Sequence, residues 1–336
     1  MKAAVLERHG DSGNIVIKSG FPDPVCDPEH VVIRVAATAL NYHDLFTRNG
    51  MPGIKIPLPL IMGIDIAGTI HTVGEGAGEW KVGDRVLVDP ADRRVGGGLI
   101  GETSHGGLAE MCKVPARQLI RIPDGVDFPD AAALPVAYGT ARRMMLTRGK
   151  IQKGEKVLIL GASGGVGTCC VMLAKLAGAE VIACAGSPEK LDRLKKMGAD
   201  HVIDYRSPDW FKQIYTQFGK PNRRSYEGGV DVVVNFTGGE TWVPSLRVLR
   251  KGGRLLTCGA TAGFDPKTDI RFIWTFELDI LGSNGWTKED LVALLDLVKE
   301  GKLRPVIHEV LPLERVRDAF ALLENRDIFG KVIIKP

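Results

Sequence analysis

Residues 156–185 read KVLILGASGGVGTCCVMLAKLAGAEVIACA. A short aliphatic run, a glycine-rich turn, a helix-length segment ending at Gly178 and a second aliphatic run admit few folds. Two continuous apolar strands joined by a helix call for parallel pairing in a sheet covered on both faces. The alternation continues. SPEKLDRLKKMGA reads as a helix with Ser187 at its N-cap and Pro188 at its first position. It is followed by HVIDY, GVDVVVNF, the helix-like ETWVPSLRVLRKGG, RLLTCGA and LDILGS. Residues 126–283 are therefore expected to form a doubly wound parallel sheet.

The flanking segments differ. Up to about residue 125 the chain shows short β segments broken by Gly, Pro and Asp, among them HVVIRVAATAL, DIAGTIHTVG, DRVLVDP and AEMCKVPARQLIRIP. That spacing predicts an antiparallel, barrel-like domain. Residues 284–336 hold two helices and two short strands, too few for a domain of their own, and are expected to rejoin the first β domain. A chain of 336 residues is long enough for two cores, and the fold class is α/β.

The net charge of +4 is dispersed, with no run longer than pairs such as Arg142-Arg143, so nucleic acid is not expected as a partner. MKAAVLERHG lacks the apolar core of a secretion signal, and no apolar stretch reaches the ~18 residues of a membrane span. A cytoplasmic location without membrane association is the expectation. Cysteines 26, 112, 169, 170, 184 and 258 show no metal-ligand spacing and are read as free.

The turn Gly161-Ala162-Ser163-Gly164-Gly165-Val166-Gly167 suits a pyrophosphate. Glycine allows the tight turn, the close approach of backbone to the anion, and the packing of helix on strand. The helix N-terminus adds unpaired N–H groups and the positive end of its dipole. A dinucleotide is the expected ligand, with Ser163, Gly164, Gly165, Val166 and Gly167 around its phosphates. The second strand then ends Ala185-Gly186-Ser187-Pro188-Glu189-Lys190. A carboxylate there would favour a ribose 2'-hydroxyl; a serine and a lysine favour a 2'-phosphate. The expected cofactor is NADPH, with Ala185, Gly186, Ser187 and Lys190 at the 2'-phosphate and Tyr205 or Arg206 nearby.

The motifs GASGGVG, LPVAYGTA, GIDIAGTIHTVG, KVGDRV, CGATAG and FGKVIIKP, in this order, resemble the medium-chain dehydrogenase/reductase superfamily over essentially the whole chain. The nearest resemblance is to its quinone-oxidoreductase-like, alcohol-dehydrogenase-like branch. The resemblance implies a GroES-like catalytic domain from residues 1–125 and 284–336, a Rossmann NADP-binding domain at 126–283, an active site where the two meet, and a homodimer through the edges of the Rossmann sheets. It also implies cofactor contacts at Thr140, Asn235, Thr237, Gly238, Gly259, Ala260, Gly282, Ser283, Asn284 and Lys331.

Zinc-dependent members hold a catalytic metal on three side chains. Carried over singly, these positions fall on Asn41, Ile64 and Val136, with Asp65 where a glutamate follows the second ligand. The segment ADRRVGGGLIGETSHGG stands where a structural-zinc lobe would carry four cysteines, and it carries none. No metal site is expected. In NYHDL, read as a strand or irregular segment, the Asn41 amide can then polarise a substrate carbonyl, and Tyr42 and His43 can each give a proton. Asp44 can orient His43 or the backbone. Proton relay and packing are both open to His43. The expected function is NADPH-dependent, zinc-independent reduction of quinones or α,β-unsaturated carbonyl compounds. The alternatives are an alcohol/aldehyde dehydrogenase and a catalytically idle NADPH-binding protein.

Overall fold

The computed structural model describes residues 1–336. The chain divides into two units, Met1–Ala137 with Lys288–Pro336, and Tyr138–Thr287.

The second unit is a six-stranded sheet, all neighbours parallel, in the order His201–Asp204, Glu180–Ala185, Lys156–Ile159, Val230–Val234, Leu249–Thr257, Asp279–Gly282. Numbered along the chain this is 3-2-1-4-5-6, the doubly wound Rossmann order, and the strand order reverses between the first and fourth strands. The central strands carry Val157, Leu158, Val181, Ile182, Val232 and Val233, all without exposed surface. A strand buried on both faces has no use for alternation, which explains their continuous apolar runs. A helix, Trp210–Phe218, fills the interval between HVIDY and GVDVVVNF where the sequence reading places no element; Trp210 and Ile214 bury its inner face. The segment ETWVPSLRVLRKGG is only half helical. Trp242–Val248 is helix, and Leu249 already pairs with Val230 as the fifth strand.

The first unit is antiparallel β structure for the most part. A sheet runs Ile307–Pro312, Lys331–Lys335, His30–Ala39, Asp65–Val73, Arg85–Val88, Leu119–Arg121, with Met111–Pro115 also paired to His30–Ala39. A smaller one joins Ile15–Lys18, Ala3–Leu6 and Leu60–Ile61. Residues from the end of the chain are integral to it: Ile333 pairs with Ala39 and Ile334 with Thr38.

The unit boundaries fall at Ala137 and Lys288, later than the 125 and 283 read from composition. The physical reason is local. The helix Phe128–Ala132 packs on the strands His30–Ala39 and Asp65–Val73, with the Arg85 guanidinium over the Phe128 ring. At the second boundary the Lys288 ammonium donates to the Arg117 carbonyl at 3.0 Å.

The core of the first unit combines Ala3–Leu6, Leu40 and Leu45 with Val316, Phe320 and Leu323 of the helix Val316–Glu324. Phe320 has no exposed surface and lies beneath the Arg48 guanidinium. Removing a buried phenyl ring of this kind costs about 3–5 kcal/mol. Phe320→Ala is therefore expected to lower the thermal unfolding midpoint clearly, read by circular dichroism. An unchanged midpoint would mean that this helix is not part of the first unit's core.

Candidate active site

NYHDL does not form a strand. Asn41, in extended conformation, precedes the helix Tyr42–Asn49, and the Asp44 carboxylate reaches back to accept from the Asn41 backbone N–H at 2.8 Å. This acidic residue at the third helical position satisfies a donor that the helix start would otherwise leave unpaired. The other Asp44 oxygen accepts from Gly63 N–H at 3.2 Å. Asp44 thus organises backbone, and its contact with His43 is electrostatic only.

The helix start places Asn41 against two buried charged groups. Its side-chain nitrogen donates to Asp65 Oδ2 at 2.9 Å and to the Ala39 carbonyl at 3.4 Å, while its oxygen accepts from Lys331 Nζ. Lys331 Nζ also donates to Leu40 O at 2.8 Å and to Asp65 Oδ2 at 3.2 Å. The other Asp65 oxygen accepts from Val136 N–H at 2.9 Å. Every polar hydrogen of the Asn41 amide and the Lys331 ammonium has an acceptor within this cluster. The amide expected to face a substrate carbonyl instead holds an ion pair together. Lys331, set beside the cofactor by the resemblance, lies with only 3% of its side chain exposed inside the first unit.

The neighbouring side chains differ. Tyr42 packs against the apolar core and donates its hydroxyl to Leu323 O at 3.0 Å. His43 remains 30% exposed and its Nε2 lies 2.5 Å from Glu102 Oε2. Glu102 went unnoticed in the sequence; its only signal is a lone acid in the glycine-rich stretch GGGLIGETSHGG.

Burial pushes the Asp44 carboxyl up to about 6, against the Asn41 N–H, whose donated hydrogen bond favours the anion. Burial likewise holds Asp65 above the usual carboxylate range despite Lys331 and Asn41. Burial drives His43 toward its neutral form, but Glu102, with a smaller contribution from Asp44, outweighs it and holds the imidazole above its usual range. The folded chain binds the Asp44 proton more tightly than the unfolded chain, so ionising Asp44 takes stability away as pH rises from 3.8 to about 6.

In the second unit, the turn after Lys156–Ile159 enters the helix Gly165–Leu176, whose first N–H groups have no partner within the helix. A methyl group at Gly167 would lie 2.3 Å from Gly161 O and 2.5 Å from Ala162 Cα, so only glycine fits. At Gly164 nothing but Gly161 O, at 3.7 Å, approaches, which leaves the turn open to an anion. Ser163, Gly165 and Val166 complete the same turn. The loop after the fourth strand meets it: Phe236 and Thr237 come within 3.2–3.3 Å of where a Gly161 side chain would stand. Asn235 pins that loop, accepting from Thr237 N and Gly238 N and donating to Thr241 and Ser245.

At the end of the second strand, Ala185 is buried and Gly186 faces Tyr205 Oη, 3.2 Å from where its side chain would be. The Ser187 hydroxyl accepts from Lys190 N–H at 3.3 Å, which leaves its own proton to give. Ser187, Lys190, Tyr205 and Arg206 thus gather at two neighbouring strand ends, with Ala185 opposite Asp204. Arg206 is paired with Asp204. Gly259, Ala260, Gly282 and Asn284 are exposed at the ends of the fifth and sixth strands; Ser283 is buried there with a hydroxyl that has no partner, and Thr140 is buried. These groups fit a dinucleotide: a turn that only glycine can form, an open helix start, and hydroxyl and cationic groups at the ribose end.

Two family models match: "Alcohol dehydrogenase GroES-like domain" over residues 27–124 and "Zinc-binding dehydrogenase" over residues 165–300. An acryloyl-coenzyme A reductase of Sulfurisphaera tokodaii is 33% identical over 94% of this chain and 95% of its own. A chloroplastic NADPH-dependent alkenal/one oxidoreductase of Arabidopsis thaliana is 31% identical over 100% of this chain and 80% of its own. A solved NAD-dependent alcohol dehydrogenase superposes with a TM-score of 0.92 at 34% identity, covering 100% of both chains. The chain belongs to the medium-chain dehydrogenase/reductase superfamily.

Within this medium-chain dehydrogenase/reductase the catalytic-zinc positions do not fit the metal. Asn41 offers a neutral amide, Ile64 and Val136 offer no donor, and a lysine ammonium is bound to the amide oxygen. The Lys331–Asp65 pair should then carry structural weight. Removing one partner of a buried pair costs about 3–5 kcal/mol. Lys331→Met is expected to lower the unfolding free energy by that amount, and Asp65→Asn in the same chain to recover part of it, measured by urea denaturation. A neutral effect of Lys331→Met would show that the pair is dispensable.

Proposed function

We propose that this medium-chain reductase transfers hydride from NADPH to quinones or α,β-unsaturated carbonyl compounds without a catalytic zinc ion. The observation that carries the reading is the closed cluster in which Asn41, at the first zinc-ligand position, is engaged by Lys331 and Asp65, beside an accessible His43. The two reductase relatives, for acryloyl-coenzyme A and for alkenals or enones, support the same reaction class.

NADPH, when bound, supplies the hydride, which adds to the electron-poor carbon of the acceptor. The remaining step belongs to the chain. An imidazolium at His43 gives a proton to the enolate or oxyanion so formed, and solvent restores it. Asn41 and Asp44 hold the helix start in place, and Tyr42 anchors it to the core. Ser187, Lys190 and Tyr205 take the 2'-phosphate, and Ser163 to Gly167 take the pyrophosphate. Thr140, Asn235, Thr237, Gly238, Gly259, Ala260, Gly282, Ser283 and Asn284 border the rest of the cofactor; Lys331 serves the first unit instead. The second reading, an alcohol dehydrogenase, is favoured by the solved relative of that description.

A homodimer in the cytoplasm completes the proposal. The sixth strand, Asp279–Gly282, is an edge with Ile280 exposed, and Ile270 and Trp274 of the preceding helix are exposed too. An open, apolar strand edge is a pairing surface. No helix is long and apolar enough to cross a membrane.

Fluorescence titration should show NADPH binding at least about 10-fold tighter than NADH, with Lys190→Ala narrowing the gap. NADPH oxidation should follow addition of quinones, enones or enoyl thioesters, but not of simple aldehydes. His43→Asn should lose roughly 10²-fold in kcat with NADPH affinity unchanged. Tighter NADH binding, or turnover of aldehydes alone, would move the assignment to the alcohol dehydrogenase.

A further inference from the structure

We propose that Glu102 is the positioning residue for His43, the two forming the proton-donating dyad of this reductase. The inference rests on the reductase reading above and adds to it the residue that loads the donor. His43 is the second residue of the helix Tyr42–Asn49. A helix start is a poor place for a cation, because the dipole's positive end disfavours imidazolium. Half-buried surroundings disfavour it as well. A histidine there would be neutral at pH 7 and would have no proton to give. Glu102 reverses this with a carboxylate 2.5 Å from Nε2.

The carboxylate is held for the purpose. Its side chain is only 8% exposed, and His43 is its ion-pair partner. Burying a carboxylate is costly, and a fold gains little from doing so at a single pair. The loop that carries it is clamped in position. Glu102 N–H donates to Leu99 O and Gly101 N–H to Ser104 O. Gly101, at φ +80°, sits so close to Gly63 and Ile64 that a side chain would lie 2.9–3.1 Å from their backbone. Gly63 N–H in turn binds Asp44, on the helix of His43. Acid and histidine are thus both referenced to one backbone segment, which fixes their separation.

The geometry divides the imidazole's two nitrogens between two tasks. Nε2–H stays on Glu102 in both protonation states. Nδ1 makes no hydrogen bond within the chain and is not buried, so its proton is the one to leave. Hydride addition leaves an electron pair on the acceptor; the Nδ1 proton closes it, the ring becomes neutral, and water returns a proton to Nδ1. The charged or titratable groups acting on the ring are Glu102 and Asp44, and Asp44 is unchanged in Glu102 variants.

The test has two arms. The first follows the imidazole signals of the free protein by NMR against pH, with His43→Asn to assign the resonance. Glu102→Gln should lower the His43 titration by about one unit or more, and Glu102→Asp should restore it in part. The second follows NADPH oxidation with 3-buten-2-one and with acryloyl-coenzyme A. An acid catalyst is active below its pKa, so activity falls as pH rises through it. Glu102→Gln should shift this alkaline limb to lower pH and reduce kcat roughly 10- to 100-fold, with the Kd for NADPH unchanged. An unmoved His43 titration in Glu102→Gln, or a loss of turnover with an unshifted pH profile, would overturn the dyad. If wild-type protein turns over neither acceptor, the reductase reading fails, and the first arm still decides whether Glu102 charges His43.

Discussion

A lysine ammonium inside a protein has to be met by acceptors on every side, because an unpaired buried charge is among the most expensive things a fold can contain. Lys331 meets this demand with the Leu40 carbonyl, the Asn41 amide oxygen and the Asp65 carboxylate. Those acceptors come from the end of the strand His30–Ala39, the helix start at Tyr42 and the first residue of the strand Asp65–Val73. Satisfying one cation therefore sets the mutual position of three elements. Asp65 extends the constraint to Val136, and Asp44 extends it to Gly63. One member of the cluster, Asn41, stands where zinc-dependent relatives would place a metal ligand, and the cluster does a metal's mechanical work without a metal's chemistry. A fixed, fully engaged ammonium is no Lewis acid.

Division of labour follows from the two kinds of sheet. The parallel sheet collects loops at the carboxyl ends of its strands, where backbone N–H groups and glycine give room for a large anion. The antiparallel unit supplies rigid registers in which a few polar side chains can be buried in fixed relation. Asn235 shows the same economy within the parallel unit: one buried amide orders the loop Thr237–Thr241 and ties it to the following helix by bonding two N–H groups and the hydroxyls of Thr237, Thr241 and Ser245.

Much of the architecture was legible because burial on both faces leaves a plain imprint: continuous apolar strands, a glycine-rich turn, capped helices. Ser187 capping Pro188–Lys196 is a local signal and reads directly. The helix Tyr42–Asn49 is harder, since its eight residues include only two apolar side chains beside a tyrosine, and its stability comes from Asp44 and from packing of Tyr42 and Leu45. The candidate site was legible in its residues and not in their roles. Asn41, Tyr42, His43 and Asp44 stand in five consecutive letters, yet four different partners decide what each does. Lys331 lies 266 positions from Asp65, and Glu102 lies 59 from His43. No periodicity links positions so far apart, and the contrast between a shielded amide and an accessible imidazole exists only once the sheet has formed.

The strand Lys331–Lys335 completes a sheet begun at residue 30, and the whole of Tyr138–Thr287 lies between them. Asp65 is thus translated long before the cation that neutralises it. Until residues 331–335 are made, Thr38 and Ala39 lack their strand partner and Asp65 lacks its counter-ion, whereas the parallel sheet has all its residues once Thr287 is reached. The later-made unit thus has its full set of residues before the earlier one, which waits for the return of the chain.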